Sequence, residues 1–131
     1  MDVDHPRFAA TLARVERELV APDGGVYRYL DDTYYGGGEW LLLTAALGRA
    51  RLRRCGPGDV EAASTALEWM TRQAASDGTL PEQVDHHALH PERIDGWRAA
   101  WGESARPLLW SHATWLSLHH ELQAAGSLVD D

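Results

Sequence analysis

Lysine is absent from the 131 residues, and all 12 side-chain cations are arginine against 20 aspartates and glutamates, giving a net charge of −8 with histidine neutral. Neutralising phosphates needs a basic surface, so this balance argues against nucleic acid as a partner. Cysteine occurs once, as Cys55, which leaves no internal disulfide and excludes paired-cysteine zinc sites. Long apolar runs are missing too. The longest, Trp40 to Leu47, is interrupted by Thr44 and falls far short of the roughly 20 residues of a membrane span. The start, Met1-Asp2-Val3-Asp4-His5-Pro6, has neither the basic nor the apolar stretch of a secretory signal. A soluble, cytoplasmic protein with no membrane partner is the expectation. Phenylalanine occurs once, against six tryptophans and four tyrosines, whose polar tips suit polar, ring-shaped ligands.

What is present reads as helices separated by two long connections. Asp4 and Pro6 open a helix in which Phe8, Leu12, Val15 and Leu19 share one face, and Pro22-Asp23-Gly24-Gly25 ends it. Residues 21–38 read as a loop. A second helix is expected from near Glu39, whose carboxylate suits a helix N-terminus, to about Arg53, with its first two turns apolar all round. After Gly56-Pro57-Gly58, Asp59 is expected to cap a third, amphipathic helix carrying Ala63, Ala66, Leu67, Met70 and Ala74 on one face. Residues 77 to about 108 read as a second long connection, with one helical turn around Arg98 to Trp101. A last helix is expected from Trp110 to Leu122, then a frayed tail from Gly126. The alternation of outer helix, loop and inner helix predicts an all-α array of helical hairpins, with both loops entering inner helices at the same end.

Those loops hold the chemistry. The first offers Arg28, Asp31, Asp32, Tyr34 and Tyr35; the second offers Glu82, Gln83, Asp85, three histidines and two tryptophans, with Trp110 at the next helix start. Polar side chains that bond hydroxyls, beside flat aromatic faces that cover C–H surfaces, are what a carbohydrate site requires. His86 and His90 are spaced i, i+4, but Pro81 and Pro91 flank them and no spaced carboxylate completes a known pattern, so no metal is expected. Gly36-Gly37-Gly38 lacks a following Lys-Ser or Lys-Thr and reads as a backbone turn, not a phosphate loop. No cofactor is implied.

Four segments, Val26-Tyr27-Arg28-Tyr29, Asp32-Thr33-Tyr34-Tyr35-Gly36-Gly37, Leu80-Pro81-Glu82-Gln83-Val84-Asp85 and Leu109-Trp110-Ser111-His112-Ala113, resemble in order motifs of glycoside hydrolase family 15, the glucoamylases. The resemblance runs from about Arg7 to Leu122 and implies the last third, about four helices, of an (α/α)6 barrel. Residues 1–125 would then be a C-terminal segment of the catalytic domain and 126–131 a tail. It implies inverting, exo-acting hydrolysis of terminal α-linked glucose from starch-like oligosaccharides. Glu82 matches the general base, Arg28 a sugar-binding arginine and Trp110 a subsite tryptophan, with Asp32, Tyr35, Trp40 and Gln83 in the matching motifs. Inverting enzymes hold their two carboxyls roughly 6.5–9.5 Å apart with water between them. The resemblance places the general acid upstream of this chain, so the chain alone is expected not to turn over.

Two departures leave the preferred linkage open. Gly38-Glu39-Trp40 stands where many members have Asn-Pro-Trp, and the stretch from Asp85 to Trp110, with Trp97 and Trp101, is longer. Simpler readings stand beside the sharp ones: Glu82 as a solvated loop carboxylate, Arg28 as an ion-pair partner of Asp31 or Asp32, and Trp40 and Trp115 as core. The alternative function is a non-catalytic carbohydrate-binding or helical interaction module, whose apolar inner helices pack on the missing barrel portion or a second copy.

Overall fold

The computed structural model describes residues 3–127. Helix α1, Pro6–Glu18, begins on His5, whose ring Nδ1 accepts the Arg7 N–H at 3.1 Å. Its apolar residues Phe8, Leu12, Val15 and Leu19 pack beside Val26 and Leu47, leaving an apolar groove of about 320 Å³ against the second helix. Helix α2, Leu41–Arg54, is central, packing against both α3, Asp59–Arg72, and α5, Leu109–Ser127. Leu41, Ala45, Ala66, Trp69, Met70 and Leu118 form the core where these three helices meet. Gly48 permits the close approach, since a Cβ there would lie 3.1 Å from Leu118.

The expected all-α array is what the chain forms. Five α-helices are accompanied, among the described residues, by one two-stranded pairing and by isolated bridges of Val20 with Val26 and of Tyr27 with Glu39. Among the described residues, no helix is long and apolar enough to cross a membrane.

Several local expectations need correction. Glu39 does not open α2: it lies with Trp40 in strand β1, Glu39–Trp40, and the helix starts at Leu41, two residues after Glu39, because Trp40 is extended, at φ −97° and ψ 124°. The partner strand β2, Gln83–Val84, lies inside what reads as a featureless connection. That connection also carries α4, Ile94–Trp101, two turns long instead of one, behind a 3-10 turn at Pro91–Arg93. Asp59 is the first residue of α3, not its cap: Gly58 takes the cap position in the left-handed region, and the Asp59 carboxylate accepts the Gly56 N–H at 2.8 Å and the Arg54 guanidinium at 2.6 and 2.8 Å. Helix α5 starts at Leu109 and continues through Gly126 and Ser127; the rest of the expected tail lies outside the described residues.

The core should be unevenly sensitive along α5. Leu118 is fully buried and Leu116 is 60% exposed, so Leu118→Ala should cost about 2–5 kcal/mol and Leu116→Ala under about 0.5 kcal/mol, read by urea denaturation.

Candidate functional site

The antiparallel pairing of β1 with β2 sets Trp40 opposite Gln83 and Glu39 opposite Val84. The Leu41 N–H continues the contact to the Glu82 carbonyl at 3.3 Å. Two loops far apart in sequence are thereby joined at Trp40 and Glu82. Arg28 stands over this junction. Its guanidinium forks onto Asp32, Nε to Oδ2 at 2.9 Å and Nη2 to Oδ1 at 2.8 Å, and lies 4.8 Å from the Trp40 ring centroid and 5.1 Å from that of Tyr34. Asp32 is fully buried and also accepts the Tyr34 N–H at 3.0 Å, so arginine and tyrosine are positioned by one carboxylate. Burial, and then the neighbouring Glu82 carboxylate, raise the Tyr34 phenol above its usual pKa. Arg28, Asp32, Tyr34, Trp40 and Glu82 therefore form one cluster, extended by Trp97, whose ring centroid is 4.3 Å from that of Tyr34. Arg28 does pair with Asp32, as its simpler reading expects, and that pairing is what holds it against the rings.

Tyr35 points elsewhere. Its backbone is left-handed, at φ 49° and ψ 40°, unusual for a bulky side chain. The following turn requires glycine: at Gly37, φ 69°, a Cβ would lie 2.2 Å from the Asp32 carbonyl oxygen. This reversal sends neighbouring tyrosines to different walls. The Tyr35 hydroxyl donates to Glu103 Oε2 at 2.5 Å and accepts from Arg98 Nη2 at 3.0 Å, while Arg98 also reaches Asp85 at 3.0 Å. Gln83 lines the same cavity of about 600 Å³. Its side chain is 1% exposed, with neither amide atom hydrogen-bonded among the described residues, and the Gln83 backbone N–H is held by Ser104 Oγ at 3.2 Å.

Trp110 is 63% exposed, at the start of α5. Ser111, the next residue, bonds the Pro81 carbonyl at 2.7 Å, and Leu108 N–H bonds the Leu80 carbonyl at 3.0 Å. Trp110 thus stands next to the segment bearing Glu82, but no ring contact joins it to the Arg28 cluster among the described residues.

A second acidic group escaped the sequence reading. Glu39 is fully buried and both carboxylate oxygens lack a hydrogen-bond partner among the described residues. Its oxygens lie within 4.8 Å of ligand atoms of Asp23 and His86. Burial, and then the charge of Asp23, push its pKa up to about 8. The Asp23-Gly24-Gly25 turn signal was legible, but its approach to Glu39 and His86 depends on pairing across more than forty residues. Tyr34 and Trp97, expected among the loop residues but without a stated role, complete the Arg28 cluster.

No family model matches the chain. It is 48% identical, over 87% of its length, to an isomaltose glucohydrolase of Kribbella flavida, 29% of which is covered. It is 28% identical, over 92% of its length, to an uncharacterized glycosyl hydrolase of Methanocaldococcus jannaschii, 19% of which is covered. A solved wild-type glycosidase superposes with a TM-score of 0.87 at 46% identity, covering 94% of this chain and 32% of that one. A glycosidase variant with glutamate replaced by alanine, in complex with glucose, superposes with a TM-score of 0.87 at 45% identity, covering 94% of this chain and 32% of that one. The chain is similar to part of a glycosidase. It spans less than a third of the length of the curated relatives and solved structures it matches.

Glu39 makes a pH prediction. With a folded pKa of about 8 against an ordinary carboxyl value of 4.5, the folded state holds a proton that the unfolded state releases between those values. The contribution to stability is complete below about pH 4.5 and is lost as pH rises through about 8. In EDTA-containing buffer, denaturation midpoints should fall across this window, and Glu39→Gln should flatten the fall.

Proposed function

We propose that the chain contributes part of a glycoside hydrolase site of the glucoamylase type, with Glu82 as the general base of an inverting reaction. The observation that carries this reading is the placing of Glu82 beside the Arg28, Tyr34 and Trp40 cluster by the β1–β2 junction. A carboxylate beside a forked cation and aromatic faces can orient a water while the sugar is held by its hydroxyls and C–H surface. The similarity to an isomaltose glucohydrolase and to a glycosidase that binds glucose supports the same class.

In this reading the substrate ends in an α-linked glucose at its non-reducing end. Glu82 takes a proton from water as the oxygen attacks the anomeric carbon, the glycosidic C–O bond on the opposite face breaks, and the departing oxygen takes a proton from the general acid, leaving β-glucose and the shortened saccharide. Arg28 donates to sugar hydroxyls, Asp32 fixes the arginine and Trp40 supports it from beneath. Gln83 offers its unpartnered amide, Trp110 a stacking face at an outer subsite, and Tyr35, with Arg98 and Glu103, shapes the adjoining wall. The general acid is assigned to a segment outside these 131 residues, in a barrel of which this chain makes up the last third. Exposed Leu109 and Leu116 on α5 favour a covering protein surface there, either the remaining barrel portion or a second copy.

The test incubates isomaltose and maltotriose with the chain, alone and mixed with the remaining portion of the Kribbella flavida relative, following the released anomer by NMR. β-Glucose should be released in the mixture, and Glu82→Gln should slow it by about 10²–10⁴-fold. α-Glucose as the first product, or unchanged rates in Glu82→Gln, would overturn the assignment. Sugar binding with no hydrolysis in any mixture would favour a non-catalytic carbohydrate-binding module.

A further inference from the structure

The acidic group on the other face of β1 points to chemistry of its own. Trp40 and Glu39 are consecutive in an extended strand, so their side chains leave opposite faces. Trp40 meets Arg28, whereas Glu39 meets Asp23 from the first loop and His86 from the second, with one ligand atom from each within 4.8 Å of the others. Neither Glu39 carboxylate oxygen has a hydrogen-bond partner among the described residues, although Asp23 and the His87 backbone lie close to it, and the ionisable base that faces Asp23 is His87, with Nε2 4.0 Å from Oδ2. With lysine absent from the sequence, the protein supplies no permanent cation to offset the two facing acids. A buried carboxyl left in that condition is costly unless something neutralises it.

The surroundings are shaped for this arrangement. Trp69 Nε1 donates to Asp23 Oδ2 at 2.9 Å and the Gly25 N–H to Oδ1 at 3.3 Å, orienting the carboxylate from behind as supporting partners orient metal ligands. A Cβ at Gly25 would stand 2.5 Å from Trp69 and 2.8 Å from the Glu39 Cβ, so glycine there admits the glutamate. The Tyr27 hydroxyl bonds the His87 carbonyl at 2.8 Å, tying the histidine loop to the same strand system.

We propose that Asp23, Glu39 and His86 bind one divalent transition cation, zinc by preference, which fastens the first loop, β1 and the second loop together. Two carboxylate oxygens and one imidazole nitrogen favour zinc or manganese over calcium or magnesium, and an exposed His86 leaves room for a water to complete the coordination. Glu39 leaves the strand on the face opposite Trp40, while His86 borders the cavity that Gln83 and Tyr35 also line; the proposal does not depend on the sugar-hydrolysing reading, because its readout is metal binding.

The chain, stripped with chelator, is titrated with Zn²⁺ by calorimetry and with Co²⁺ by visible absorption. One ion per chain is expected, with a rise in Tm. Glu39→Gln, which keeps the shape of the side chain, and His86→Ala, which removes an exposed ring, should each weaken Zn²⁺ binding at least about tenfold. His120→Ala, on the exposed surface of α5, should leave it unchanged. Circular dichroism checks folding, and His86→Ala decides the matter if Glu39→Gln unfolds. The proposal is overturned by the absence of saturable binding, or by binding that survives His86→Ala unchanged.

Discussion

The four-residue pairing of Glu39–Trp40 with Gln83–Val84 is the constraint on which the rest of the site depends. Each strand is too short to be stable by itself. It forms because α2 begins immediately after Trp40 and because the Leu80–Glu82 segment is pinned on its other side by α5, through Leu108 and Ser111. The helices thus hold the ends of two long loops, and the strand pair fixes their register. A slip of one residue would exchange the faces on which Glu39 and Trp40 stand. The Arg28 cluster would then lose its aromatic floor, and the buried acid would face the junction with Glu82.

The helical grammar was legible because apolar spacing carries it: Phe8, Leu12 and Val15 on α1, with Leu19 just past its end, and Ala63, Ala66 and Met70 on α3, occupy the faces expected of them. Local punctuation was legible as well, with Gly36 to Gly38 forming a backbone turn. Boundaries set by tertiary contact were not. Glu39 has the composition of a helix start, yet the extended Trp40 delays the helix and places the carboxylate in the interior. Asp59 has the composition of a cap, but Arg54 and the Gly56 N–H claim its oxygens while Gly58 takes the left-handed position. The 85–108 connection hides a helix because its turns are short and its flanks are rich in proline and glycine.

Within the candidate site, Arg28, Asp32, Trp40 and Glu82 can be named from sequence because they belong to recognisable short motifs. Their mutual placing cannot, since Arg28 and Glu82 are separated by two helices and meet only through β1 and β2. Tyr34 and Tyr35 show the limit most clearly. They are neighbours with the same side chain, and only the left-handed backbone at Tyr35 decides that one faces Arg28 and the other faces Arg98. No periodicity in the sequence encodes that division.

The exclusive use of arginine as side-chain cation has a consequence for both walls. Arg28 binds two oxygens of Asp32 while lying over Tyr34 and Trp40; Arg98 joins Asp85 to Glu103 while lying 5.5 Å from the Tyr35 ring centroid. Each task needs a planar, forked cation that bonds in its plane and stacks through its face, which a lysine ammonium cannot do at once. The paired carboxylate sets the plane, the plane sets which face meets the ring, and the ring fixes the loop carrying it. Arginine therefore acts here as a joint between loop and loop as well as a charge. Where no arginine reaches, Asp23 is held by the Trp69 indole and the Gly25 N–H, and Glu39 has no donor among the described residues. That contrast is why the two faces of one short strand present such different chemistry.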